Sequence, residues 1–575
     1  MPALQDSEFV GPVVDRAARP PECPKASRPP GKGLPSFGRD SRKARVSRSL
    51  KNISIVSVAT MASRVLGYVR DSQTMAVFGS CALTDAFYTA FTLPNLFRRL
   101  LGEGALAAAL VPTLTTELET RRRAEAFILV CQVASWLFVV SGGIVVVALL
   151  GLTQAKTLAG LAQRWGTEPD TAARWVEAAR LATILFPYMM FVCSAAAFSA
   201  ALQTLGRFLE PALSPIWLNC AMIGLLWFSG RVGQSGGDLG RMYWLCAGVL
   251  LGGLLQMVVP AGALMQEGWR PRLDLRLSEP VRAILRLMGP TLFGSAIYLI
   301  NMAVSRFVGL SLDEKAATAL QLATRLMELP IGVFAVAVST VVFPLIARYA
   351  AQKDWPSLGE AYRRGMRLIL VINIPAAVGL VVLASPIIRV LFQHGKFGAA
   401  STASIVPVFA AYAVGLPFFS FVNLALRAFY AQKDTATPVR AAALSFAVNL
   451  GLSLLLMGPL STVGLAVASS VAIVAQAWYL QTHLSRKHPE LVFGLLVPTL
   501  VKVSAAAVLM GLLITLGWRG WSALAGRGFL ADLIALGGFI PLGVALYGAV
   551  LWRTKIEGKD ELMALLRRWR AKSLD

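Results

Sequence analysis

The sequence is short of charge, and of acid most of all. Only 15% of its 575 residues are charged, and 31 acidic residues stand against 55 basic ones, where a soluble domain carries about 25% charge. With 56% hydrophobic residues and a mean hydropathy of +0.62, the chain holds more apolar surface than a water-soluble core can hide. Histidine is almost missing: His394, His483 and His488 are the whole set, with no H-E-x-x-H and no i, i+4 pair. A histidine-built metal site is therefore not expected. The six cysteines, Cys23, Cys81, Cys131, Cys193, Cys220 and Cys246, show no C-x-x-C spacing; in or beside apolar helices such residues act as small hydrophobes. No G-x-x-x-x-G-K-[ST] occurs, so no loop cradles the phosphates of ATP, and active transport would have to draw on a gradient. No metal and no cofactor are expected. Period-two alternation is absent from the apolar runs, which argues against a β-barrel.

What the chain does have is long apolar runs, each near the roughly 20 residues that cross a bilayer. They lie near 51–75, 84–113, 126–151, 178–204, 211–230, 242–265, 287–310, 318–346, 368–392, 401–430, 438–458, 462–482, 493–517 and 529–552. The expectation is an all-α polytopic membrane protein of about fourteen transmembrane helices. Lys and Arg, among them Arg121, Arg122, Arg123, Arg270, Arg272, Arg363 and Arg364, gather in alternate loops. By the positive-inside rule both termini are then cytoplasmic. The net charge of +24 is largely this topology signal plus charge within the spans, and it calls for no nucleic acid.

Residues 1–49 are rich in Pro, Gly, Ser and Arg and read as a disordered basic cytoplasmic extension, with no cleavable signal peptide before the first run. Residues 554–575 read as a basic cytoplasmic tail. Between them an internal repeat is visible: Pro187, Phe191, Val192 and Asn219 recur 230 residues later as Pro417, Phe421, Val422 and Asn449. Six spans separate the copies, so both run the same way through the membrane. This divides the chain into an N-terminal lobe at 50–268, a C-terminal lobe at 269–485, six helices each in a parallel repeat, and two further helices at 486–553.

Charge inside the spans is the strongest functional signal. Arg64 and Arg70 stand in S-R-V-L-G-Y-V-R-D, and Arg98 and Arg99 in L-P-N-L-F-R-R-L-L-G-E-G. Each charge at bilayer depth costs about 2.5–3.5 kcal/mol, so these residues should face a cavity. Spacing pairs Arg99 with Glu103 and Arg325 with Glu328, and it puts Arg64 and Asp71, seven apart, on one face. Arg70 and Arg98 are left over, and a surplus of guanidinium suits an anion such as phosphate through its bidentate fork.

These runs, with T-D-A-F-Y-T-A-F-T-L-P-N-L-F-R-R-L-L-G-E-G-A-L, R-L-M-E-L-P-I-G-V-F, L-F-Q-H-G-K-F and R-A-F-Y-A-Q-K-D-T-A-T-P-V, resemble the lipid II flippase family MurJ, also called MviN, of the multidrug/oligosaccharidyl-lipid/polysaccharide exporter superfamily. The resemblance covers about residue 47 to the last span. It implies two lobes around a central cationic cavity, with two C-terminal helices beside a groove for the lipid tail. It also implies the substrate, the undecaprenyl-diphosphate-linked precursor of peptidoglycan, carried from the inner to the outer leaflet of the bacterial cytoplasmic membrane, and a functional link to the cell-wall synthesis machinery. Matched residue by residue, the substrate-binding set is Arg64, Arg70, Arg98 and Arg325 with Asp85, Asn95, Glu103 and Glu328. Thr92 and Thr324 depart from the pattern, standing where some relatives have Lys and Asp. Some relatives carry a sodium site between the seventh and eleventh helices; here Asn301 and Asn449 offer no carboxylate, and sodium is not expected.

For a diphosphate cargo whose charge the protein does not fully cancel, membrane potential is enough to drive both halves of an alternating-access cycle, since moving each negative charge outward gains about 2.3 kcal/mol per 100 mV. Alternatives are a flippase for another polyprenyl-linked glycan and a multidrug or cation antiporter of the same superfamily. An enzyme would need a catalytic acid or base at a cavity mouth; Asp313 with Glu314, or Asp434, read instead as solvated loop residues, so no enzyme activity is expected.

Overall fold

The structure, a computed structural model, describes residues 39–98, 100, 105–231, 237–331 and 336–554. Two compact units divide the chain between Ile53 and Ser54; everything below concerns the second. Of the first, only residues 39–53 are described, and they are helical. Residues 39–49 thus depart from the expected disordered extension: no Gly or Pro follows Gly38 until Gly67, and nothing in the run breaks a helix. The tail expected at 554–575 lies outside the described residues from 555 on.

The first half of the chain forms α1 (Arg39–Phe78), α2 (Ala82–Phe97), α3 (Ala105–Thr120), α4 (Arg123–Thr153), α5 (Ala155–Arg164), α6 (Pro169–Leu185), α7 (Tyr188–Thr204), α8 (Leu209–Ser229) and α9 (Gly237–Gln266). The second forms α10 (Glu279–Leu312), α11 (Ala316–Pro330), α12 (Val336–Gln352), α13 (Trp355–Val382), α14 (Ala384–Phe392), α15 (Ala399–Ala431), α16 (Ala436–Lys487), α17 (Val497–Leu524) and α18 (Phe529–Arg553). No β-strand occurs among the described residues. The chain is an all-α polytopic membrane protein.

Among the described residues, eight helices are long and apolar enough to cross a membrane, or nine if α6 and α7, bent by 44°, are one span. The bend falls at Pro187, which cannot donate into the helical ladder. α16 spans 52 residues but breaks at Ser461, with φ 49° and ψ −133°. A Cβ on Gly464 would lie 2.4 Å from the Leu456 carbonyl oxygen, although eight residues of straight helix span about 12 Å. The chain therefore reverses there, and α16 is a hairpin of two spans. The other expected spans, in α1, α2–α3, α10 and α11–α12, carry arginines or pass through residues not described.

Packing follows small residues. α8 and α9 touch backbone to backbone at a Gly-x-x-x-Gly step: a Cβ on Gly248 would lie 2.8 Å from the Met222 Cα, and one on Gly252 2.7 Å from the Leu218 Cα. In lipid, where no hydrophobic force drives helices together, such close approach supplies the dispersion energy.

The apolar cores are distributed unevenly along the membrane normal. One core draws on both halves of the chain, from Met75 and Phe87 to Phe392 and Phe409, all near the helix ends expected to face outward. Toward the other end lie two cores, one around Leu110, Val130 and Leu264 that also takes in Val281, Ile284 and Met288 of α10, the other around Tyr362, Leu424 and Leu480. The halves thus share a core at one end, while at the other the start of α10 packs into the core of the first half and the core of the second half lies apart. α17 and α18 add a further core against α13, and Arg389 of α14 grips buried Asp532 of α18 at 2.6 and 2.8 Å. At the expected inner surface, the hydrogen bond from Arg123 to Glu267 holds that carboxylate below its usual range.

Candidate functional site

Three helices supply the charges. α1 is narrow where α11 crosses it: a Cβ on Gly67 would lie 1.8 Å from Arg325 Nη2, so the guanidinium of Arg325 passes over bare backbone. It also lies 5.6 Å from the centre of the Tyr68 ring, and Tyr68 donates from its hydroxyl to the Arg325 carbonyl at 3.0 Å. α2 contributes Asn95 and Arg98 just beyond its internal Pro94, and Arg98 Nε donates to Asn95 Oδ1 at 2.8 Å.

Asp71 is the counter-ion at the centre, and it is fully buried. Its Oδ1 accepts from Arg70 Nε at 2.9 Å and Nη2 at 2.6 Å, and its Oδ2 lies 3.5 Å from Arg325 Nε. Spacing sets Arg64 and Asp71 on one face of α1, and the described bonds to Asp71 Oδ1 come from Arg70. Seven residues put two turns, about 10.5 Å, between their Cα atoms, whereas the long Arg70 side chain folds back on its neighbour. Arg64 donates from Nη1 to the Glu328 carbonyl at 3.2 Å. Arg325 and Glu328 pair as spacing suggests, Nη1 to Oε2 at 2.7 Å.

Arg70 also reaches α8, its Nη1 donating to Asn219 Oδ1 at 3.1 Å, while Asn219 Nδ2 donates to the Ser63 carbonyl at 3.1 Å. Its repeat counterpart Asn449 donates to Asn301 Oδ1 at 2.7 Å and Ser305 Oγ at 3.1 Å, both on α10. Each asparagine therefore binds the helix that opens its own half. Asn449 turns N–H toward the oxygens that a cation would need; no group of three or more His, Cys, Asp or Glu able to hold a metal occurs among the described residues.

Arg70, Arg98, Arg325, Asn95 and Glu328 line a cavity of about 500 Å³ between α1, α2, α7, α8, α9 and α11. Sequence reasoning missed the neutral lining, Asn219, Gln256 and Gln321, because an isolated amide in an apolar span looks like any other. It also missed Arg306 of α10, 4% exposed, although a lone arginine in the span at 287–310 is the kind of signal that flagged the others.

Two expected site residues are not in that lining, Arg64, whose Nη1 binds the Glu328 carbonyl, and Asp85. Asp85 is fully buried and caps α11 from α2, Oδ2 accepting from Ala317 N and Oδ1 from Thr318 N, both at 2.8 Å. It does not line the cavity. Its carboxylate satisfies the orphan N–H groups of a buried helix start, where the helix dipole also favours negative charge. Glu103, with its expected partner Arg99, lies outside the described residues.

The seam that Asp85 closes continues outward. Lys396 N donates to the Ala76 carbonyl at 2.9 Å, and Lys396 Nζ binds Asp238 at 2.6 and 2.7 Å. Arg174 and Trp175 of α6 donate to Ser311 of α10, the indole at 3.0 Å.

Residues 75–534 match the family model described as lipid II flippase MurJ. The probable lipid II flippase MurJ of Rhizobium tropici is 33% identical over 87% of this chain and 93% of its own length. That of Vibrio cholerae is 32% identical over 89% and 97%. Among solved structures, a lipid II flippase MurJ in an inward closed conformation superimposes with a TM-score of 0.68 at 25% identity, covering 87% of this chain and 99% of that one. An inward-facing multidrug resistance MATE family transporter of the MOP superfamily, with a TM-score of 0.57 at 14% identity over 75% and 98%, shares the fold.

Proposed function

Because the chain belongs to the lipid II flippase MurJ family, we propose that Arg70, Arg98 and Arg325 grip the diphosphate of lipid II in the central cavity. The protein is a lipid II flippase of the inner membrane, and peptidoglycan synthesis depends on the precursor it delivers. The observation that carries the binding site is the cavity itself: among the described residues three guanidinium groups and one carboxylate line it, with Asp71 buried behind. A lining of that sign favours an anion, and forked donors favour phosphate. Asn95 and Glu328, which engage Arg98 and Arg325, hold two of the forks in place.

The two lobes rock about the outer seam. The joint core and the bonds of Asp85, Lys396 and Trp175 hold the lobes together on the outer side, while on the inner side the core around Leu110 takes in the start of α10 and the core around Tyr362 stands apart from it, an arrangement that supports inward access. Sugar and peptide ride in the cavity, and the polyprenyl chain stays in lipid, with α17 and α18 beside it. Both termini are cytoplasmic. Membrane potential drives the loaded carrier outward and pulls the empty cationic cavity back, at about 2.3 kcal/mol per charge per 100 mV. The parallel repeat of 50–268 and 269–485, followed by 486–553, is supported by the matched roles of Asn219 and Asn449.

The test is a membrane-impermeant probe of outer-leaflet lipid II in cells whose only flippase is the R98A/R325A double variant. Labelling should fall to background at normal protein abundance. Labelling equal to that of the unmodified chain overturns the cationic-cavity reading.

A further inference from the structure

The buried guanidinium of Arg306 has donors only, and it spends two of them on α11. Nη1 donates to the Ala317 carbonyl at 2.9 Å and Nη2 to Gln321 Oε1 at 2.9 Å. Holding the oxygen of the Gln321 amide turns its Nε2 the other way. Gln321 lines the cavity, and this Nε2 meets no other partner among the described residues. One turn further along the same helix stripe, Arg325 lines the same cavity. Gln321 thus extends the donor row of Arg325 by one neutral N–H.

The other end of the arrangement reaches the outer seam. The Ala317 N–H is one that Asp85 accepts, and the carbonyl of the same residue is the one Arg306 binds. Arg306 makes no ion pair among the described residues, so its buried charge is answered by oxygens of α11 alone. A buried arginine without a carboxylate is costly to keep, and a residue that only filled space would not need one.

We infer that Arg306 is a positioning residue that presents Gln321 as a hydrogen-bond donor to the oxygen-rich headgroup of lipid II and ties that donor to the Asp85-capped start of α11. The inference rests on the lipid II reading above. A ligand that draws on Gln321 pulls on the same residue of α10 that steadies the seam, which gives the cavity a direct mechanical hold on outer closure.

The experiment is a titration of lipid II into the full chain in lipid nanodiscs. Q321A, which removes the cavity-facing donor together with one acceptor of Arg306, should bind about tenfold more weakly, the worth of one hydrogen bond to a charged acceptor. R306K keeps the charge but cannot hold both oxygens, so it should lose about as much. The R306K/Q321A pair should bind no more weakly than either single variant, because both act through one donor. If Arg306 were only a packing element, R306K would lower the melting temperature with affinity unchanged, or the two losses would multiply to about hundredfold; either result overturns the inference. An unmodified chain that binds no lipid II overturns the reading on which it rests, whereas binding by that chain with equal binding by Q321A overturns this inference alone.

Discussion

Asp71 neutralises two guanidinium groups from inside the protein, and neither of its oxygens reaches water. Removing one partner of a buried ion pair costs about 3–5 kcal/mol, since the remaining charge stays desolvated. D71N should therefore lower the thermal unfolding midpoint in detergent, and adding R70M should recover part of the loss. An unchanged midpoint for D71N would show that the two arginines rest on other groups. Gly67 acts on the same cluster differently. The atom that a Cβ would meet is the flexible end of Arg325, 1.8 Å away, so G67A should fold at normal abundance while pushing the guanidinium off Asp71. Its outer-leaflet lipid II signal should drop as far as that of R325A; transport at the unmodified level would refute the crossing geometry. The arginines themselves were legible in S-R-V-L-G-Y-V-R-D and R-L-M-E-L-P because charge in an apolar run stands out locally. The i, i+3 partner Glu328 was legible as well, but the role of Asp71 was not, since it meets Arg325 across two helices and no spacing rule reaches that far.

Helices behave as units where their backbones touch. At Gly252 the obstacle to a side chain is the α8 backbone at Leu218, 2.7 Å from an added Cβ, and backbone cannot swing aside as a side chain can. G252V should separate α8 from α9 and destabilise the protein by about 1–3 kcal/mol, read as reduced membrane abundance and a lower unfolding midpoint. α11 carries the cavity residues and is held at its start by Asp85. Removing that cap should loosen the outer seam: in a chain whose one cysteine is Cys81, half-buried at the start of α2, D85A should raise labelling by an impermeant thiol reagent added from outside. Equal labelling would mean that the seam stands without the cap. Most elements could be read from hydropathy, including the two arms of the α16 hairpin at 438–458 and 462–482. The bend at Pro187 within the run at 178–204 and the short helix α5 in an expected loop could not, because both depend on how neighbouring helices pack. Asp85 was legible as a buried acid but not as a cap, since its two N–H partners lie 232 and 233 residues away.

At the scale of the whole molecule, the all-α membrane class was fixed by composition, while the uneven distribution of cores was not, because it depends on which helix ends of the two halves meet. The topology reading has its own test: a reporter fused after Asp575 should score as cytoplasmic, and an outer-face signal would invert every loop assignment. The joint core at the outer side has a thermal consequence. To release substrate outward, side chains such as Met75, Phe78, Phe392 and Phe397, all 4% exposed or less, must part and meet water. Exposing apolar surface raises the heat capacity, so the balance between the two access states bends with temperature instead of following a straight line. Translocation measured over a range of temperatures should then give a curved Arrhenius plot, with a curvature that lessens when the seam phenylalanines are replaced by smaller residues.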